Sequence, residues 1–233
     1  LLALDTLDAP EQNYHGHGRW AYWMDACTRG VVPEEPIPQI RFRHQPERED
    51  AKHVQEVLRI YVNQGYWYDD AWLALVRWLL HGFGREELED DVARIPPQVR
   101  NAWYERFNLG ILLRSPVDWS AYVIQVGLPA MKSGQHRWAW STGFFSTPMD
   151  ICEMMAFMTF GVGDPEVTKL QTVCDPCCGT GSLLLAASNY SLRLYGSDIV
   201  PDLCLCAELN GWLWAPWLVY MPRWMRDLFD ARS

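Results

Sequence analysis

The chain has no apolar run near the length of about 18 residues that crossing a bilayer requires, and its longest candidate, Gly211 to Pro222, is too short. Its start has no basic region followed by an apolar stretch, so no secretory leader is expected. A disulfide framework is also missing. The seven cysteines are odd in number, and most are clustered, which points to a reducing cytoplasm. Positive charge is scarce: 20 Lys and Arg face 29 Asp and Glu, for a net charge of -9. Phosphate binding relies on basic residues, so this balance argues against a chain that wraps nucleic acid by itself. It leaves room for a catalytic domain whose DNA contacts come from another domain or subunit. No internal repeat or low-complexity segment is present.

What is present describes a soluble globular chain. Hydrophobic residues make up 49% of the 233 positions and charged residues 21%. That length can bury a sizeable core, as one large domain or two small ones. Tryptophan is abundant, at 13. Large aromatics ordinarily build cores and interfaces, with one or two left for base stacking.

Three segments are expected: an extended connector over 1–48, a helical domain over 49–140 and an α/β core over 141–233. In the first, Trp20, Tyr22 and Trp23 belong to a stretch that packs on something, and Pro33, Pro36, Pro38 and Pro46 break regular structure. His15 and His17 flank a glycine and are read as surface histidines. From Asp50, a candidate cap, Val54, Val57, Leu58, Tyr61 and Val62 fall on one helical face. A second helix runs from Asp70 to Leu80, with Trp72, Leu75, Val76 and Leu79 on one side and Gly82 past its end. Two more cover Glu86 to Ile95 and Pro97 to Phe107. Thr147-Pro148 reads as a helix start, with Thr as cap and Pro at the first helical position. The stripe Ile151, Met154, Met155 and Met158 that follows is expected in the core.

The chemistry gathers around Asp175-Pro176-Cys177-Cys178-Gly179-Thr180-Gly181. This turn lies between an expected strand, Leu170 to Cys174, and an expected helix, Ser182 to Ser188. Glycines there remove the Cβ atoms that would keep a ligand off the backbone, and free helix N–H groups face polar or anionic ligand atoms. Asp198 ends the next expected strand, Arg193 to Ser197. An acid about 20 residues past such glycines is where nucleotide-type sites hold ribose hydroxyls. Strand, loop, helix, strand and helix form a βαβα unit of a parallel sheet. A metal alternative pairs Cys174 and Cys177 with Cys204 and Cys206, although Cys174 should point into the sheet.

Asp-Pro-x-Cys-Gly-Thr-Gly resembles motif I of the S-adenosylmethionine-dependent adenine-N6 DNA methyltransferases, a family that includes the modification subunits of type I restriction systems. Upstream, Gly143-Phe144-Phe145-Ser146-Thr147-Pro148 resembles the Phe-(Tyr/Phe)-Thr-Pro element that precedes motif I there, with Ser146 in place of the second aromatic. The order of the two elements also matches, and the likeness runs from 143 to about 210. The resemblance implies a Rossmann-like core, a helical region ahead of it, and S-adenosylmethionine as cofactor. It implies that Asp175 and Pro176 shape the turn and that Gly179, Thr180 and Gly181 pass the methionine part of the cofactor along the backbone. Cys178 stands at the family's own cysteine position. Thr147 would sit near the cofactor carboxylate, Asp198 on the ribose hydroxyls and Ile199 against the adenine.

The family's (Asn/Asp/Ser)-Pro-Pro-(Tyr/Phe) motif, which holds and stacks the flipped target base, has no counterpart after Pro96-Pro97. Trp214-Ala215-Pro216-Trp217 supplies aromatics and one proline without a polar amine acceptor, and Asp227-Leu228 resembles the family's next element, an acid near the adenine. Three readings follow. The chain is the front of a longer or split methyltransferase whose catalytic sheet is completed elsewhere or by a partner chain. It is an inactive methyltransferase-like scaffold or interaction protein. Or it methylates another substrate with other residues. The aromatic segment Trp212 to Trp224 is the candidate cover for an exposed sheet edge or a subunit interface.

Overall fold

The computed structural model describes residues 17–127 and 142–230. His15 and the expected domain boundary near 140 lie outside them. Helix α1 (Arg19–Arg29) stops at Gly30, whose φ of 69° only glycine adopts without strain. The proline-rich stretch follows in extended form as far as α2 (Arg48–Val62). Val54, Val57, Leu58 and Tyr61 are buried on α2, the face that the spacing predicts. Asp50 is not the cap. It lies inside the first turn, buried, where it accepts a hydrogen bond from Ser115 Oγ at 2.9 Å and pairs with Arg114 at 3.2 Å. Helix α3 (Tyr68–Gly82) buries Trp72, Leu75, Val76 and Leu79. Gly82 is its last residue rather than the residue past its end. The chain turns instead at Phe83 and Gly84, where φ is 104°.

The single helix expected over 86–95 is a 3-10 turn, Glu86–Leu88, followed by α4 (Glu89–Ala93). Next come α5 (Pro97–Arg106), α6 (Leu109–Arg114), α7 (Trp119–Ala121) and one π-helical turn, Tyr122–Val126. The remainder is α8 (Met149–Phe160), α9 (Pro165–Thr168), β1 (Thr172–Asp175), α10 (Ser182–Ala187), β2 (Arg193–Gly196), α11 (Pro201–Trp214), α12 (Pro216–Val219) and α13 (Arg223–Asp230). β1 and β2 pair in parallel, Thr172 opposite Arg193 through Asp175 opposite Gly196. The expected βαβα unit is therefore present. The described chain as a whole is mostly helical, with this two-stranded sheet as its β component.

One apolar core runs without interruption from α2 and α3 into α10 and α11, joining Leu58, Trp72 and Leu80 to Leu185, Leu209 and Trp214. A second cluster gathers Trp23, Ile37, Leu184, Leu194 and Trp217 around the sheet. Arg77 pairs with Asp202 and Arg85 with Glu208, which ties α3 and the turn after it to α11. The tryptophans carry much of this packing. Trp23, Trp72, Trp103, Trp119, Trp214 and Trp217 are all fully buried. Several send the indole N–H to a polar atom, as when Trp103 donates to Val57 O at 3.0 Å and Trp119 to Leu112 O at 2.9 Å. Trp217 packs with Leu194 of β2, so this segment covers the sheet from within the chain, and Trp214 and Trp217 are buried there. His17 is half-buried, with its ring edge against Trp214.

The methionine stripe on α8 is the clearest departure from expectation. Cys152 and Ala156 are the buried residues facing α10, together with Met149, whereas Ile151, Met154, Met155 and Met158 are exposed. Small side chains on that face let the two helices approach closely, and the larger ones are turned outward.

Arg19 is buried to 1% exposure. Its guanidinium donates to Ser188 Oγ at 2.7 Å, Trp214 O at 2.8 Å, Asn189 Oδ1 at 2.5 Å and Pro38 O at 2.8 Å. It also lies 5.1 Å from the centre of the Trp217 ring. Each buried acceptor left without a donor costs about 1–3 kcal/mol. Arg19→Leu is expected to lower stability by about 3 kcal/mol or more, read as a shift of the urea midpoint.

Candidate functional site

The glycine loop leaves β1 at Asp175, whose Oδ1 accepts the Cys177 N–H at 3.1 Å and bends the chain as expected for a short acid before a turn. The strand pairing continues past the sheet. Ser197 N–H reaches Asp175 O at 3.0 Å, and Cys178 N–H reaches Ser197 O at 2.9 Å. Gly179 and Gly181 have φ of 54° and 89°, a left-handed backbone that side chains resist. Asp198 clamps the turn from the end of β2: one carboxylate oxygen accepts Gly179 N–H at 2.9 Å and the other Val200 N–H at 3.0 Å. A carboxylate oxygen accepts more than one hydrogen bond, so each retains capacity for a ligand hydroxyl.

The upstream Phe-Phe-Ser-Thr-Pro element folds onto this loop. A Cβ added at Gly179 would lie 3.0 Å from the Phe144 ring, so Phe144 roofs that glycine. Ser146 Oγ is 3.1 Å from Ser182 Oγ. Thr147 does not cap α8. The cap position belongs to Pro148, whose ψ of 139° keeps it outside the helix, and no side chain caps that end. Thr147 is exposed and lines a cleft of about 320 Å³ with Ser146, Ser182, Asp118, Gln125 and Arg43.

The residues singled out from sequence divide into two groups. Thr147, Pro176 and Ile199 are exposed, Ile199 to 97%, and Asp175, Gly179 and Asp198 are half-buried. Cys178, Thr180 and Gly181 are buried. The cysteines do not converge as a ligand set: Cys206 is buried in the core, while Cys174 and Cys177 are exposed. Burial pushes the thiols of Cys152, Cys178 and Cys206 up to about 12, so all three are neutral at physiological pH.

Asp118 and Gln125 are absent from the sequence-based site. Asp118 is 6% exposed and lies ahead of α7, where its side chain accepts Ala121 N–H at 2.8 Å. It also accepts the hydroxyls of Thr180 at 2.5 Å and Ser182 at 2.6 Å. Burial raises its carboxyl above the ordinary range, and these donors oppose that shift. An acid ahead of Trp-Ser-Ala carries a cap signal, and nothing in the sequence relates it to a loop 62 residues away. Gln125 Oε1 accepts Ser146 N–H at 2.6 Å.

A Gly-rich strand-to-helix turn with an acid at the end of the next parallel strand is the geometry that nucleotide-type sites use. Residues 132–213 match the family model described as N-6 DNA Methylase, which covers less than half of the chain. The resemblance drawn from the two motifs is thereby shown over that stretch. No curated protein and no solved structure matches the chain.

Gly181→Ala would set a Cβ 3.1 Å from Ala207 Cβ at a φ of 89°. A loss of about 1–2 kcal/mol is expected, measured by urea denaturation. In the folded protein, Cys174 and Cys177 are expected to be alkylated by iodoacetamide at pH 8. Cys152 and Cys206, both buried, should react only after unfolding, as read by peptide mass spectrometry.

Proposed function

We propose that this chain holds the cofactor half of an S-adenosylmethionine-dependent DNA adenine-N6 methyltransferase. The observation that carries the reading is the joining of the two motifs: Phe144 and Ser146 lie against Gly179 and Ser182, while Asp198 clamps the same loop from β2. The cofactor supplies an activated methyl group on sulfur. Gly179 and Gly181 give the loop the left-handed backbone along which its methionine part would run, with Phe144 and Ala207 packed where their Cβ atoms would lie, and Thr147 faces the cleft where the carboxylate would lie. Asp198 has spare acceptor capacity for the ribose hydroxyls. Ile199 is exposed and available to an adenine face. No described helix is long and apolar enough to cross a membrane.

Methyl transfer itself requires a further segment. Among the described residues β1 pairs with β2 alone, and Thr172 and Cys174 are exposed. Strands of parallel sheets are ordinarily covered on both faces. The outward Met154, Met155, Phe157 and Met158 of α8 add apolar surface that favours a covering partner. The reading is therefore a Rossmann-like sheet completed by another segment or subunit that brings the Pro-Pro-aromatic motif and the DNA contacts. The same surface favours the second reading, an inactive scaffold that uses the cofactor fold for interaction.

Calorimetric titration with S-adenosylmethionine tests the cofactor site. Saturable binding is expected. Asp198→Ala should weaken it by about 1–3 kcal/mol, the cost of losing a buried polar contact, and Gly179→Trp should abolish it. A folded chain that binds no cofactor, alone or with a covering partner, would leave the scaffold reading.

A further inference from the structure

We propose that Asp118 and Gln125, on the helical side of the cleft, are positioning residues of the cofactor loop, so that the helical region is a constituent of the site. The proposal rests on the cofactor reading above.

Asp118 meets the loop at two points. The hydroxyls that reach it belong to Thr180 and Ser182, the residues on either side of Gly181. Gly181 has the φ of 89° and closes the loop by donating to Cys178 O at 2.8 Å. Holding both neighbours fixes the direction in which the chain leaves the loop and enters α10. The arrangement continues outward. A carboxylate only accepts hydrogen bonds, so Ser182 gives its proton to Asp118 and receives one from Ser146 Oγ. Ser146 is held a second time, through its N–H, by Gln125. From the other side, Asn210 Nδ2 donates to Thr180 O at 2.8 Å, binding the loop to α11.

The platform behind these contacts is rigid. Trp119, Val123 and Ile124 are fully buried. Trp72 Nε1 donates to Ser120 Oγ at 3.0 Å, and Trp119 Nε1 donates to Leu112 O at 2.9 Å. A loop held in its binding geometry before the ligand arrives does not spend affinity on ordering itself. Asp118 thus acts through Thr180 and Ser182, and Gln125 through Ser146.

The test uses two readouts on the full chain. Hydrogen–deuterium exchange of the amides from 178 to 185, without cofactor, reports the loop. Calorimetry with S-adenosylmethionine reports the site. Asp118→Ala is expected to speed loop exchange at least tenfold, leave α2 and α3 protected, and weaken cofactor binding at least tenfold. Asp118→Asn should stay within threefold of wild type in both, because its amide can donate to the two hydroxyls after they rotate. Gln125→Ala should weaken binding by about threefold to tenfold without changing exchange in α2 or α3. If Asp118→Ala does not fold, Ser182→Ala takes its place, with Ser182→Thr as the restoring variant. Wild-type exchange and affinity in the alanine variants would overturn the proposal. So would equal loss in Asp118→Asn and Asp118→Ala, which would make the charge itself a ligand contact. If wild type binds no cofactor, alone or with a covering partner, the cofactor reading fails, while loop exchange still decides whether Asp118 positions the loop.

Discussion

A buried guanidinium organises this molecule. Arg19 brings one positive charge into an interior built of tryptophan and leucine, and such a charge is tolerated only when every donor is matched. Its acceptors come from three separate places: the proline-rich connector, the two residues that follow α10, and the last turn of α11. Asn189 extends the arrangement, since its amide both accepts from Ile40 N–H and donates to Ile40 O at 2.8 Å. The stretch from Arg19 to Ile40 is therefore not an appendage. It is stitched to the helix that follows the glycine loop, and that helix fixes where the loop can lie.

Local features were legible in the sequence and distant ones were not. The helices over 48–62 and 68–82 follow from apolar spacing, because one face of each enters the core. The strand, glycine loop and helix over 172–187 were legible for another reason: a turn needing left-handed backbone at two positions permits few residues. The α8 surface was misread because periodicity gives the apolar residues without saying which neighbour they face. Its buried side holds Met149, Cys152 and Ala156, and the neighbouring helix rather than hydrophobicity selects that side. Asp118 and Gln125 were missed because their partners are far along the chain and neither stands in a motif. The same separation hides Arg19 and Ser188, which are 169 positions apart.

The two regions joined at the cleft differ in character. The helical side is deeply packed and gives the loop fixed acceptors. The side with the sheet ends in exposed strand and helix surface. Preorganisation comes from one direction and remaining capacity for contact faces the other. Such polarity suits the proposed cofactor site, in which the loop is built before the chemistry it would serve is brought to it.

Gly181 and Ala207 are close enough that a Cβ on the first would meet the Cβ of the second at 3.1 Å. These two positions share a single allotment of volume, across an interface between a loop and a helix. A larger side chain at 207 would act as a wedge beneath the loop, moving α11 and with it Asn210, which holds the carbonyl of Thr180. The thickness of one methyl group on α11 thereby sets the height of the glycine loop, and α11 serves as its floor.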